Sequence, residues 1–287
     1  SDSGAFPRNE SVITSGTQWG PPSNWNPLQG GGQAMGVRGL LYETLFIFNP
    51  WTLELEPWLA EGGEWTGDTQ YTVTLRSGMT WQDGEPITAA DVAFTLELGK
   101  QPAVKFSNVW TYLDSVEATD DTTVVFNFSD ARVGQWNNFL ASNQIVPQHL
   151  WESVPAEDLG IYANDDSPIG SGAYAYHSHS DTRMVWERND NWWGIEALGL
   201  NMKPRYIIDL VNPSNEVALG LIARGNIDIS NNFLPGIQQL VAGDFNITTF
   251  YPDEPYMLSA NTAMLIPNTT KPALDDPLFR RALASSI

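Results

Sequence analysis

Apolar and polar residues alternate in several stretches of the chain, and this alternation predicts β-strands. Residues 69–76 place apolar side chains at every second position, and residues 122–128 do the same. Such a period of two puts all apolar side chains on one face of a half-buried strand. The β-branched residues in 11–17 predict a further strand, and residues 172–186 predict a β-hairpin around a polar turn.

Capping residues predict where two helices begin and end. The first begins after Thr88, whose hydroxyl can accept from the free backbone amides, and it ends near Gly99. The second begins after Ser214 and ends before Gly225, a residue type favoured just past a helix C-terminus. Both segments are therefore predicted as helices with defined ends.

A strand–helix–strand unit gives the clearest indication of fold class. Residues 205–210 and 227–229 predict strands on either side of the second helix, an order typical of α/β proteins. Further helices are predicted at 34–43, 144–151 and 278–287. The last of these carries no helix-stop residue, so we expect the natural chain to continue beyond residue 287.

Charge and composition exclude several classes of protein. The 287 residues include 34 acidic and 14 basic side chains, which gives a net charge of −20. Nucleic-acid binding requires a basic surface, and anionic membranes repel a chain of this charge. The absence of cysteine excludes thiolate metal sites and cysteine nucleophiles. No stretch approaches the roughly 18 apolar residues of a membrane span, and the start at Ser1 is interpreted as a processed or engineered terminus.

Adjacent carboxylates are the first candidates for catalysis. They occur at 120–121, 165–166 and 275–276. A glycoside hydrolase needs two carboxylates that face each other across a sugar ring, about 5–9 Å apart, and neighbours in sequence rarely do so. Each pair also lies where Asp is favoured for local backbone hydrogen bonds. We interpret them as turn residues and predict no catalytic residue.

Histidine and glycine patterns do not indicate a metal or cofactor. His177 and His179 share a strand face, but a third protein ligand is needed and His149 is the only other histidine. Gly170-Ser171-Gly172 lacks the spacing of a nucleophile elbow, and no phosphate-binding or dinucleotide-binding glycine pattern is present. The sequence therefore predicts neither a metal site nor a cofactor.

The 12 tryptophans are the remaining chemical signal. Sugar rings have apolar C–H faces that stack on indoles, while nearby amides bond the hydroxyls. Trp19 and Trp25 lie in a proline-rich loop after the first strand, beside Asn24 and Asn26, and loop aromatics often contact ligands. Five other tryptophans are expected to pack within the fold: Trp58, Trp65, Trp81, Trp151 and Trp186.

The order of motifs resembles a known family. Residues 71–92, YTVTLRSGMTWQDGEPITAADV, are similar to the oligopeptide, dipeptide and nickel family (family 5) of solute-binding proteins that serve ABC importers. That family has Leu-Arg-x-Gly, an Asp-Gly turn, and a helix opened by Pro-Thr-Ala-Asp-Asp-Val. Ser171, Ala173 and Phe279 depart conservatively from its usual Thr, Pro and Val. Further motifs of the same family are matched in order at 41–45, 57–61, 167–174, 189–194, 218–219, 225–229, 261–262 and 275–283.

The resemblance implies a fold and a domain organisation. The expected fold is α/β, a periplasmic-binding-protein-like (class II) lobe with an inserted α+β domain. Residues 1–41 and 167–265 would form the discontinuous ligand-binding lobe, and residues 42–166 the inserted domain. Residues 266–287 would begin the opposite lobe, which is largely absent from this chain.

The resemblance also implies a function. The protein would be a monomeric extracytoplasmic receptor, in the periplasm or at the cell surface, with a lipid anchor as one option, and it would deliver a small molecule to an ABC permease. An oligosaccharide is the first expectation, an oligopeptide the second, and nickel the weakest. Trp19 and Trp25 would stack on the sugar, with Asn24, Asn26 and Asn261 as hydroxyl partners. A glycoside hydrolase and a carbohydrate-binding module are the competing classes.

Overall fold

The computed structural model describes residues 6–211, 214–232, 234, 236–243, 247–251, 253 and 267–285. The chain forms two compact units, Ser1–Pro235 and Gly236–Ile287. None of the helices in the described residues has both the length and the apolar character that a membrane span requires.

The first unit contains every strand of the described chain and five of its α-helices. The strands are β1 (Ser11–Ser15), β2 (Phe46–Asn49), β3 (Glu54–Pro57), β4 (Ala60–Gly67), β5 (Gln70–Leu75), β6 (Leu113–Ala118), β7 (Thr123–Phe128), β8 (Tyr174–Ser180), β9 (Arg183–Arg188), β10 (Tyr206–Leu210) and β11 (Ile229–Ser230). Its helices are α1 (Ala89–Leu98), α2 (Val133–Ser142), α3 (Gln148–Trp151), α4 (Gly194–Leu198) and α5 (Asn215–Ala223). The second unit contains α6 (Ile237–Val241) and α7 (Pro277–Ser285).

A five-stranded sheet, ordered β11-β1-β10-β9-β8, combines the first strand with four late ones. β1 pairs in parallel with both β10 and β11, and Ser15 lies opposite Leu210 and Ser230. The strand–helix–strand prediction is confirmed as β10-α5-β11. The predicted hairpin is confirmed as β8 and β9, which pair antiparallel.

A second, four-stranded sheet is antiparallel throughout, in the order β4-β5-β7-β6. Its strands β5 and β7 confirm the alternating patterns, since Val124, Phe126 and Phe128 of β7 are all buried. Helix α1 packs beside this sheet. It begins as predicted at a capping box, in which Thr88 and Asp91 satisfy each other's backbone amides.

Aromatic side chains dominate the core beside this sheet. Trp136 of α2 is fully buried, and its ring centroid lies 4.7 Å from that of Phe126 and 4.9 Å from that of Phe139. Of the five tryptophans expected to pack, three are at least 98% buried, namely Trp81, Trp151 and Trp186. Trp58 and Trp65 are partly buried and pack against the same core.

The predicted helix at 34–43 is wrong. The segment consists of turns, and its Arg38 forms an isolated bridge with Tyr42. Gly36 and Gly39 have φ angles of +86° and +102°, outside the helical region, so the apolar spacing here does not reflect a helix. The amides of Leu40 and Leu41 both donate to the Gly36 carbonyl, which closes a tight turn instead.

Other predicted elements differ in length or stay untested. The helix predicted at 144–151 is shorter, α3, because Pro147 precedes it as its cap. The helix predicted at 278–287 is confirmed as α7 in the second unit, and residues 286–287 lie outside the described residues. The domain boundaries after residues 41, 166 and 265 stay predictions.

Candidate ligand-binding site

The carboxyl ends of three parallel strands define the candidate site. β1 lies between β10 and β11, so all three strands end at one edge of the sheet. Ligands of open α/β sheets bind outside the carboxyl ends of the strands, where neighbouring connections diverge. Residues 16–33, named the β1 loop here, leave the sheet at this edge and carry most of the predicted site residues.

A buried amide links the strand ends to one another. Asn232 follows β11 and is fully buried. Its Oδ1 accepts hydrogen bonds from Ser15 Oγ and Ser230 Oγ, both at 3.0 Å. Its Nδ2 donates to Oδ1 of Asn215, the first residue of α5, at 3.1 Å. The ends of β1 and β11 and the start of α5 are thus held in one polar network.

A buried carboxylate fixes the start of the β1 loop. Asp209 of β10 is fully buried, and its Oδ1 accepts from Thr14 Oγ1 at 2.7 Å. Its Oδ2 accepts from Thr17 Oγ1, in the loop itself, at 3.5 Å. Burial raises the pKa of Asp209 to about 6, against the two hydroxyl hydrogen bonds that favour its ionised form. Asp209 therefore connects β10 both to β1 and to the loop that follows it.

Trp19 is the exposed aromatic of the β1 loop, with 51% of its surface accessible. Gln18 holds the chain on both sides of it. Gln18 Oε1 accepts from the Met35 amide at 3.0 Å, and Gln18 Nε2 donates to the Gly20 carbonyl at 2.6 Å. An indole that is exposed on a braced loop can stack against a flat apolar face of a ligand.

Trp25, the second predicted stacking residue, is 1% exposed. Its backbone amide donates to the Ala163 carbonyl at 2.7 Å, and its ring meets Tyr176 edge-on at 5.6 Å between centroids. Because both ring faces lie inside the core, Trp25 offers no stacking surface in this structure. The ring centroid also lies 4.7 Å from that of His179, so residues distant in the sequence pack against Trp25.

Asn26 is also fully buried, and all its side-chain hydrogen-bonding groups have partners within the protein. Its Nδ2 donates to the carbonyls of Leu159 and Tyr162 at 3.0 and 2.9 Å. Its Oδ1 accepts from the Leu28 amide at 2.8 Å. The expected role as a hydroxyl partner is therefore contradicted, because Asn26 joins the β1 loop to residues 159–162.

The remaining two predicted asparagines differ in accessibility. Asn24 is half-buried, its Nδ2 donates to Gln29 Oε1 at 2.6 Å, and its Oδ1 accepts from the Asn26 amide. A ligand hydroxyl that bonds to Asn24 would have to share its Nδ2 or Oδ1 with these protein partners. Asn261 lies outside the described residues. The structure therefore places Trp19, Asn24, Trp25 and Asn26 in one loop, but it exposes chiefly Trp19.

Sequence reasoning missed a carboxylate enclosed by three indoles. Glu43 is 3% exposed. Its Oε1 accepts from Trp58 Nε1 at 2.9 Å and from Trp192 Nε1 at 3.2 Å, and its Oε2 accepts from Trp193 Nε1 at 2.9 Å. Burial raises the pKa of Glu43 to about 7, while these indole donors act in the opposite direction. The only signals in the sequence were an acidic residue in an apolar segment and the adjacent tryptophans 192–193.

The alternative chemistries find no assembled site among the described residues. No group of three or more His, Asp or Glu side chains there could hold a metal ion. His177 Nδ1 and His179 Nδ1 instead lie 2.9 Å from Ser178 Oγ and Tyr176 Oη. Asp120 accepts from two nearby backbone amides, at Thr122 and Thr123, as expected of a turn residue.

Comparison with known proteins places these features in a family context. A family model described as "Bacterial extracellular solute-binding proteins, family 5 Middle" matches residues 54–287. A mannohexaose-bound periplasmic oligopeptide-binding protein of an oligopeptide ABC transporter from Thermotoga maritima superposes with a TM-score of 0.94 at 44% identity. That match covers 99% of this chain and 52% of the Thermotoga chain.

Peptide-binding relatives are more distant. The oligopeptide-binding protein AppA of Bacillus subtilis, in complex with a nonapeptide, superposes with a TM-score of 0.71 at 25% identity over 82% of this chain and 46% of its own. In sequence, AppA is 28% identical over 191 residues, which is 64% of this chain and 33% of AppA. The chain thus spans about half the length of these solved proteins.

Proposed function

The chain belongs to the bacterial extracellular solute-binding proteins of family 5, and from this premise we propose that the protein is an ABC-importer receptor that binds an oligosaccharide. The observation that carries the proposal is the exposed indole of Trp19, braced by Gln18 at the carboxyl edge of three parallel strands. An indole face matches the apolar C–H face of a sugar ring. The mannohexaose bound to the Thermotoga relative supports the same ligand class.

The proposed mechanism is capture without chemical change. In such receptors two lobes close on the ligand by a hinge motion, and the closed form would present the ligand to a membrane permease. Affinity would come from stacking and from hydrogen bonds in a largely water-free cleft. The relatives described above are named as binding proteins, which favours this reading over a glycoside hydrolase.

The location follows from the proposed role. A receptor that feeds an importer works outside the cytoplasm, and the Thermotoga relative is described as periplasmic. Attachment through a lipid anchor and a monomeric state remain predictions from the family resemblance.

An oligopeptide is the second candidate ligand. The nonapeptide bound to AppA favours it, since AppA shares the fold and 25% of aligned residues. Peptides are held chiefly through backbone hydrogen bonds and terminal charges, so a peptide receptor would gain little from the Trp19 face. The two candidates therefore differ in their dependence on this one indole.

Isothermal titration of the full-length protein tests the proposal. Mannohexaose, cellohexaose and a nonapeptide would each be titrated, and the recovered ligand would be analysed by chromatography. We expect saturable binding of at least one oligosaccharide, with the ligand recovered intact. Binding of the nonapeptide alone would replace the proposal with the peptide alternative, and shortened sugars in the recovered material would indicate a hydrolase.

A further inference from the structure

A cavity of about 380 Å³ in the first unit combines positive charge with amide groups. No Asp or Glu side chain is among its lining residues in the described chain, although acidic residues outnumber basic ones by 34 to 14 overall. Its polar lining includes Arg38, Lys105, Asn108, Gln135, Asn138 and Asn143. The cavity therefore concentrates positive charge within a protein of net charge −20, and such a local field attracts anions.

The Arg38 guanidinium and the Lys105 backbone amide, but not the Lys105 ammonium, donate to adjacent carbonyls of the β1 loop. The Lys105 amide donates to the Leu28 carbonyl at 2.8 Å, and Arg38 Nη2 donates to the Gln29 carbonyl at 2.7 Å. Residues 38 and 105 are far apart in sequence, so this pairing depends on the tertiary fold. It places two like charges at the same cavity, which is unfavourable unless an anion lies between them.

Neither cation has a carboxylate partner within the described residues. Lys105 Nζ donates to Gln144 Oε1 at 2.8 Å and to the Ser142 carbonyl at 3.2 Å, both neutral acceptors. One of its three protons therefore remains available. Arg38 makes a single side-chain hydrogen bond among the described residues, to the Gln29 carbonyl, and it is exposed at the cavity rim.

The electrostatics of Lys105 are consistent with an uncompensated positive charge. Burial and, to a smaller extent, the nearby charge of Arg38 together lower the pKa of Lys105 to about 7. A bound anion would offset both effects, because an opposite charge favours the protonated amine.

The rest of the lining suggests the shape of the anion. Phe106, Tyr112 and Phe139 are buried side chains that line the same cavity, and the rings of Phe106 and Phe139 meet edge-on at 5.3 Å. The side-chain amides of Asn108 and Gln135 have no hydrogen bond to other described residues, so their N–H groups can bind a ligand oxygen. Because aromatic side chains line the cavity together with cations and amides, the lining fits an organic body better than an inorganic ion.

We propose that this cavity binds the carboxylate of a small organic acid through Arg38 and Lys105, with the acid's body against Phe106 and Phe139. The shared chemistry is a carboxylate on a compact apolar or ring-shaped body, which an acidic sugar or a peptide C-terminus can supply. Trp19 is not among the residues that line this cavity, and the proposal does not rest on the oligosaccharide assignment.

Calorimetric titration of the full-length protein at low ionic strength tests this. The probes are D-glucuronate as an acidic sugar, N-acetylglycine as a peptide-like carboxylate, D-glucose as the neutral match and sodium sulfate as the inorganic match. We expect glucuronate or N-acetylglycine to bind, and whichever binds identifies the source of the carboxylate. Failure of both acids to bind, sulfate binding as tightly as the better-binding acid, or glucose binding as tightly as glucuronate with no N-acetylglycine binding would each overturn the proposal.

Charge-matched variants locate the binding. Arg38→Gln and Lys105→Gln each remove one positive charge and should weaken binding of the acid by about tenfold or more. Lys100→Gln removes the same charge at an exposed lysine that pairs with Glu97, and it should bind within about twofold of the unaltered protein. If Lys105→Gln has a much lower melting temperature than the unaltered protein, its binding result is set aside. The comparison of Arg38→Gln with Lys100→Gln then decides the outcome. Equal affinities for Arg38→Gln and Lys100→Gln would overturn the site.

Discussion

The α-carbon of Gly16 lies so close to Asn232 that a β-carbon at residue 16 would be 2.5 Å from the Asn232 backbone nitrogen. Gly16 is the first residue after β1, and its φ angle is +104°, where side chains are strained. Asn232 follows the neighbouring strand β11. The absence of a side chain at residue 16 thus allows the β1 loop to leave the sheet directly against β11.

Replacing Gly16 with alanine should destabilise the protein. Backbone strain of this kind costs about 1–3 kcal/mol, and the clash is with backbone that cannot move aside cheaply. Gly20→Ala is the matched control, because Gly20 lies in the same loop and a β-carbon there meets nothing within 4 Å. Urea denaturation measures both free energies of unfolding. Equal values for the two variants would show that the close approach is not required.

Replacing Trp25 with alanine should lower the free energy of unfolding far more than replacing Trp19. Trp25→Ala removes a core side chain that is 1% exposed, and such substitutions cost about 3–5 kcal/mol. Trp19→Ala removes a side chain that is 51% exposed and should change the free energy of unfolding by only about 0.5 kcal/mol. Thermal and urea denaturation compare the two. A large loss for Trp19→Ala would mean that this indole supports the fold rather than a ligand.

Glu43→Gln tests the carboxylate that accepts from three indoles. Glutamine keeps one acceptor oxygen, so at least one buried indole N–H must share it or lose its partner, at a cost of about 1–3 kcal/mol. Glu64→Gln, at an exposed position of β4, should stay within about 0.5 kcal/mol of the unaltered protein. Urea denaturation at pH 5 measures both. Folded Glu43 is protonated at this pH, because its pKa is about 7, but both of its oxygens can still accept, whereas the amide nitrogen of glutamine cannot.

The same variant should change how stability depends on pH. The pKa of Glu43 is raised from 4.5 to about 7 in the folded protein, so the folded state holds more protons than the unfolded state between these values. Its contribution to the free energy of unfolding therefore falls as the pH rises from about 4.5 to about 7. The advantage of Glu43 over glutamine should shrink between pH 5 and pH 7. An advantage that grows over this range would contradict the assigned shift.

The sequence predicted those elements whose signal is local. Half-buried and buried residues alternate strictly along β7, and Thr88 and Asp91 alone form the capping box of α1. Both elements were therefore predicted correctly. Residues 34–43 have apolar spacing that resembles a helix, but two glycines with positive φ turn the chain there. Whether a glycine adopts that conformation depends on its neighbours in space. At Gly36 that neighbour is Trp186.

The candidate site was less predictable, because burial of a loop residue is decided by distant parts of the chain. The sequence placed Trp19 and Trp25 on one loop, but only contacts with residues 159–163 show that Trp25 and Asn26 face inward. The pairing of Arg38 with Lys105 is likewise visible only after folding. Glu43 and its three tryptophans, spread from residue 58 to residue 193, leave no pattern of fixed spacing.

Titration of mannohexaose into Trp19→Ala and Trp51→Ala tests the central claim most directly. Trp51 lies in the turn between β2 and β3, is 73% exposed, and serves as the matched control for losing a surface indole. Stacking on Trp19 predicts that Trp19→Ala weakens binding by about tenfold, equivalent to about 1.4 kcal/mol, while Trp51→Ala binds like the unaltered protein. Unchanged affinity in Trp19→Ala would contradict the account.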